Sequence, residues 1–239
     1  MEEKITYDFD TVISRIGTQA EKYEARKQYY GTNDVEPFWV ADMDLPSPGF
    51  LVEALRDRVD HSLFGYTEKD PTLFDAIIWW MRDQHRVEVA PEMISLSPSV
   101  VSSISMAIEA FTAPQDQVVV LSPVYGPFFS TVKLHGRVPA DCPLLIDKGR
   151  YEMDWQAIDT ALSNSLTTML LLCNPQNPSG RVWQADELLR LGRLCKLHGV
   201  ILFSDEIHSD IVYAPACHTS VLTIPELRDH CVMAHSIGK

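Results

Sequence analysis

GVILFSDEIHSD, residues 199–210, is the stretch that decides how the rest of the chain is read. An apolar run from Val200 to Phe203 is followed at once by Ser204, Asp205 and Glu206. So short a run, bounded by polar residues, has the length of a strand buried on both faces rather than that of an ordinary helix. Three other stretches share its texture: QVVVLSP (117–123), TTMLLLCNP (167–175) and HCVMAHS (230–236). Between them lie two amphipathic patterns, WQAIDTALSN and, after Trp183, ADELLRLGRLCKLH. Apolar runs alternating with such helices predict a mainly parallel α/β sheet flanked by helices. Upstream, TLFDAIIWWMRDQH and SVVSSISMAIEAF read as helices. PSPGFLVEALRDRV does too, with a period of Leu51, Ala54, Leu55 and Val59 behind a capped start at Pro46–Ser47–Pro48. The first forty-odd residues are polar and rich in aromatics, an arm more than a domain.

Composition narrows the possible partners. The chain has 239 residues, of which 46% are hydrophobic and 22% charged, with a net charge of −13. Lysine and arginine are scattered, so the basic footprint that nucleic acid requires is missing. No stretch approaches the roughly 18 to 20 apolar residues that cross a bilayer. MEEKITYDFD is acidic and lacks the apolar core of a secretory signal. The five cysteines contain no CxxC pair and no zinc-ligand spacing, so no metal is expected, and reduced cytoplasmic thiols are.

In an open α/β sheet, ligands bind beyond the carboxyl ends of the strands. There the chain offers SPVYGPF (122–128), NPQNPSGRVW (174–183), SDEIHSD (204–210) and SIGK (236–239). Asp205 alone would be a helix cap and Lys239 alone a solvated lysine. Together at one edge they suggest a cofactor with a cationic nitrogen at one end and a carbonyl at the other. Pyridoxal 5'-phosphate has that form: a lysine joins its aldehyde and a carboxylate keeps its ring nitrogen protonated. At an effective dielectric near 20 that contact is worth about 4 kcal/mol before desolvation. Tyr125 would stack on the ring, or else fill the turn after Pro123. Asn177 would bond the phenolic oxygen, or else serve an Asn–Pro turn. Ser99, Val100 and Val101 open a helix whose free N–H groups suit a phosphate, and Ser236 adds a hydroxyl; many helices start this way without binding anything.

SPxY, NPQNPSGRVW, SDEIHSD and S-x-x-K, in that order, resemble the fold-type I pyridoxal-phosphate enzymes of the class I/II aminotransferase superfamily. WVADMDLPSP, GYT at 65–67, GRVW and DEIH are similar to the MalY/PatB-type cystathionine β-lyases, the C–S lyases. The likeness runs from about Tyr7 to Lys239. It implies the aspartate-aminotransferase fold: residues 1–44 form an arm contributing to a small domain, and 45–239 a large cofactor-binding domain ending at the Schiff-base lysine, Lys239. It implies Asp205 at the pyridine nitrogen, Asn177 at the phenolic oxygen, Tyr125 on the ring, and Val100, Val101 and Ser236 at the phosphate. Tyr66 is expected to reach the phosphate of a neighbouring subunit, hence a homodimer. His208 stands where aminotransferases carry a tyrosine, which favours elimination; the alternative is that it packs beside Asp205 and orients it. The expected reaction is β-elimination of L-cystathionine or related cysteine S-conjugates to a thiol, pyruvate and ammonia. Transamination is the alternative within enzymes, a non-catalytic scaffold the alternative outside them. Family members continue past the lysine with a C-terminal small domain and a carboxylate-binding arginine, so the 239-residue chain alone is expected to be inactive. Whether Trp39, Asp42 and Asp44 touch substrate or anchor the arm stays open.

Overall fold

The protein, seen as a computed structural model, is described over residues 7–239. It divides into two compact units, residues 1–69 with Lys239, and residues 70–238.

Among the described residues, the first unit holds three helices: α1 (Glu21–Glu24), α2 (Arg26–Tyr30) and α3 (Gly49–Asp60). The expected cap of α3 is not found. Pro48 occupies the cap position and no side chain bonds the first turn, because Ser47 falls one residue too early. The apolar period of α3 is present, yet Leu51, Leu55 and Val59 are exposed. The unit is tied by charge instead. Arg15 pairs with Asp42 at 2.5 Å and with Asp44 at 3.0 Å, and Lys22 pairs with Asp44 at 2.5 Å. Trp39 donates its indole N–H to the Lys22 carbonyl at 3.1 Å and packs against Tyr29, ring centroids 4.9 Å apart. Asp42, Asp44 and Trp39 are thus engaged in anchoring the arm.

The second unit opens with α4 (Pro71–His85), whose N-cap Asp70 accepts the Thr72 N–H at 2.8 Å. Then come α5 (Val100–Phe111), β1 (Gln117–Val120), α6 (Pro127–Leu134), β2 (Val138–Asp141), β3 (Leu145–Asp147), β4 (Arg150–Glu152), α7 (Trp155–Leu162), β5 (Thr167–Cys173), α8 (Ala185–Leu197), β6 (Ile201–Asp205) and β7 (Cys231–Ala234). All four apolar runs are strands, and every helix read from the pattern forms. Five strands make one sheet in the order β2-β1-β5-β6-β7, and each neighbouring pair is parallel. β3 and β4 form a separate antiparallel hairpin.

Alternation along the strands sorts the core into two layers. Val119, Leu170, Leu172 and Leu202 pack on one face with Ile158 of α7 and Leu188 and Leu191 of α8. Val118, Val120, Met169, Leu171 and Phe203 pack on the other with Ile104 and Ile108 of α5 and Phe128 and Val132 of α6. The result is an α/β/α sandwich. Trp183 is the largest side chain that is fully buried; its N–H reaches the Cys173 carbonyl at 2.9 Å, and Arg181 lies 4.6 Å over its ring. Gly192 of α8 leaves room for Leu227, whose nearest atom would lie 2.2 Å from an added Cβ.

Candidate active site

Because the sheet is parallel, its strand ends collect on one edge. Cys173, Asp205 and Ala234 sit in register there, the last residues of β5, β6 and β7. Chain leaving these strands carries Asn174–Asn177, Glu206–Asp210 and His235–Ser236; chain leaving β1 carries Tyr125 into α6.

Asp205 is buried, with only 5% of its surface exposed. Its Oδ1 accepts the Ile207 N–H at 3.1 Å and its carbonyl accepts the Asn174 N–H at 2.8 Å. The carboxylate's charge is felt next door: burial first, then Asp205, pushes the Cys173 thiol up to about 12, partly offset by the N–H that Asn177 donates to its sulfur. Phe203, two residues before Asp205, packs on the α5 and α6 face, so the strand alternation directs Asp205 to that face.

α5 begins at the same edge. The Ser99 hydroxyl accepts the Ser102 N–H at 3.1 Å, so that side chain is used as a helix cap. The N–H groups of Val100 and Val101 belong to the first turn, where a helix leaves donors without intrahelical partners and carries a partial positive charge. Ser99, Val100 and Ser236 line one cavity of about 470 Å³, along with Ala234 and His235. Most of that cavity runs down α5 past Met106 and Phe111, away from the chemistry, and Tyr125, Asn177, Asp205 and His208 are not among its lining residues. The strand register, more than this cavity, brings the segments that follow β5, β6 and β7 to one edge. Ser236 Oγ also accepts the Gly238 N–H at 3.0 Å, which shapes the final turn. Tyr125 is 45% exposed, Asn177 and His208 are half-buried, Tyr66 is fully exposed, and Lys239 is exposed. Tyr66 and Lys239 belong to the first unit, the other candidates to the second.

One group at this edge escaped sequence reasoning. Glu206 is 1% exposed and accepts the Ser204 hydroxyl at 2.9 Å and the Val221 N–H at 3.0 Å on Oε1, while Oε2 lies 3.0 Å from His218 Nε2. It braces the loop after β6 and leaves Asp205 as the acid directed to the α5 side. The adjacent pair Asp205–Glu206 was the available signal; His218, twelve residues on, gave none.

The architecture is that of an open parallel α/β fold, in which ligands bind beyond the carboxyl ends of the strands, where this chain brings a buried acid and a helix N-terminus. The comparison with known sequences makes the class specific. The model of the aminotransferase class I and II family matches residues 40–239, and the chain belongs to that family. It is 45% identical over 219 residues to cystathionine β-lyase PatB of Bacillus subtilis, covering 92% of this chain and 57% of that protein. Protein MalY of Escherichia coli is 32% identical, with 89% of this chain and 55% of that protein covered. Among solved structures, cystalysin from Treponema denticola, which contains a pyridoxal 5'-phosphate cofactor, matches with a TM-score of 0.91 at 32% identity, over 97% of this chain and 60% of that one. The pyridoxal-phosphate-bound C–S lyase of Staphylococcus hominis matches at 0.89 and 28%, over 97% and 59%. The chain therefore spans somewhat more than half the length of these relatives.

Proposed function

We propose that the chain supplies the cofactor-binding part of a pyridoxal-phosphate-dependent carbon–sulfur β-lyase acting on L-cystathionine or related cysteine S-conjugates. The observation that carries this reading is the buried Asp205 at the end of β6, in register with Cys173 and Ala234, on the face to which α5 presents its first turn. A carboxylate so buried is stable when it faces a cation, and a helix N-terminus beside it suits a phosphate; both fit pyridoxal phosphate. The names of the similar lyases support the choice of reaction.

When bound, the cofactor supplies an electron sink that makes the substrate's Cα proton acidic. Asp205 would hold the proton on the ring nitrogen, with His208 as its neighbour. Asn177 would donate its amide N–H to the phenolic oxygen, and Tyr125 would stack on the ring. Val100 and Val101 N–H groups, with Ser99 and Ser236, would hold the phosphate, and Tyr66 would reach the phosphate in a second subunit of a cytoplasmic homodimer. Lys239 would hold the cofactor through its aldehyde and, with Nζ free once substrate is bound, would take the Cα proton. The Cβ–S bond would break with its electron pair leaving on the thiolate, which takes up that proton, and one water would complete the release of pyruvate and ammonia.

The test uses the enzyme that carries this chain. Asp205→Asn is expected to lower pyruvate release from L-cystathionine about a thousandfold, the equivalent of about 4 kcal/mol. Borohydride reduction followed by peptide mapping is expected to find the pyridoxyl group on Lys239; another lysine would overturn the assignment. Pyruvate must form with no keto acid added. A strict need for an amino acceptor would make the enzyme an aminotransferase instead.

A further inference from the structure

Three ligand-type side chains distant in sequence meet beside the sheet edge. His85 is the last residue of α4, Asp210 lies in the turn after β6, and His235 follows β7 directly. His85 Nε2 is 2.7 Å from Asp210 Oδ1, and His235 Nε2 is 3.0 Å from Asp210 Oδ2. The three possible ligand atoms all lie within 4.8 Å of one another. The two imidazoles are largely buried, their side chains 5% and 12% exposed, while Asp210 at 24% keeps one side open to water.

We propose that His85, Asp210 and His235 form a binding site for a divalent transition cation of the zinc type. Two imidazole nitrogens and one carboxylate suit zinc, cobalt or nickel, whereas magnesium and calcium demand a shell of oxygens. Ligand bonds of about 2.0 to 2.2 Å put neighbouring tetrahedral donors about 3.3 Å apart, so a modest side-chain shift seats the ion. Water from the Asp210 side fills the remaining position.

The surroundings favour a cation. His85 ends a 15-residue helix, where the helix dipole is negative. Trp80 donates its indole N–H to Asp210 Oδ1 at 3.2 Å, which fixes the carboxylate from behind. His218 meets the His85 ring edge-on at 5.8 Å and is backed by the buried carboxylate of Glu206, 3.0 Å from its Nε2. The competing arrangement is a hydrogen-bond clamp in which both imidazoles simply donate to Asp210. It differs in one measurable respect: a clamp binds no ion.

The test takes the enzyme that carries this chain with Cys217→Ser, which removes the chain's one exposed thiol, after treatment with a chelator. Zinc chloride is titrated against a chromogenic chelator, and cobalt chloride is followed by its visible absorption. One equivalent of zinc is expected to bind with micromolar or tighter affinity and to raise the melting temperature. His235→Ala and Asp210→Asn are each expected to weaken binding at least tenfold, while His198→Ala leaves it unchanged. Circular dichroism of each variant confirms that the fold is kept; should one fail to fold, the other carries the comparison. Absence of a saturable equivalent, equal binding of magnesium, or unchanged affinity in the His235 and Asp210 variants would each overturn the site.

Discussion

The two compact units hold themselves together in opposite ways. Residues 70–238 are built on two apolar layers pressed onto a parallel sheet. Among the described residues of the first sixty-nine, Lys22 alone is buried, and it is buried by ion pairs with Asp42 and Asp44. Apolar packing is short-ranged, indifferent to salt and intolerant of lost volume. Paired charges on half-exposed side chains tolerate volume changes but respond to pH and ionic strength. The same chain should thus fail differently at its two ends.

The sharpest way to break the comparison is Trp183→Ala. It removes a fully buried ring and leaves the Cys173 carbonyl without its indole donor. A loss of about 3 to 5 kcal/mol is expected for residues 70–238, read by urea denaturation with far-ultraviolet circular dichroism. A loss below 1 kcal/mol would show that the layer re-packs freely. Gly192→Ala comes next. It drives a methyl into buried Leu227, and overpacking of this kind costs about 1 to 3 kcal/mol, read from the same curves.

The smallest effect belongs to the arm. Arg15 holds the Asp42 carboxyl below its ordinary value, and Lys22 followed by Arg15 does the same for Asp44. Groups depressed in the folded state stabilise it above their ordinary pKa of 3.8, and that contribution disappears as pH falls through their lowered values. Limited proteolysis within residues 7–69 should therefore quicken severalfold below about pH 4 and again in 1 M salt, where the screening length shrinks to about 3 Å. Cleavage within 70–238 should stay slow in 1 M salt. Equal acceleration in both units would erase the distinction.

The same physics explains what could be read in advance. β1, β5, β6 and β7 declared themselves because strands buried on both faces must be continuously apolar. β2 did not: VPAD is a short, half-exposed edge strand interrupted by Pro139 and paired only with β1. The β3–β4 hairpin turns at Lys148 and Gly149, both with positive φ, over strands of three exposed or half-buried residues. α6 escaped because PFFSTVKL starts at the proline of a turn-like YGP. At the edge of the sheet, Asp205 was legible because an acid ending an apolar run needs a reason. The triad of His85, Asp210 and His235 was not, since 125 residues separate the first two and no local spacing marks them. The pairing of Asp42 and Asp44 with Arg15 and Lys22 was hidden for the same reason.

Asp205 and Glu206 are neighbours in the chain with different duties: Asp205 is the last residue of β6, and Glu206 begins the loop that follows. That makes β6 a segment in which length matters more than composition. Insertions in the loop 211–217 would lengthen an excursion, whereas one residue gained or lost within Ile201–Asp205 would exchange the two acids between faces. Homologues should accordingly vary freely in the spacing after DEIHSD and hardly at all in the spacing before it, a pattern of tolerated and forbidden indels that any alignment of relatives can check.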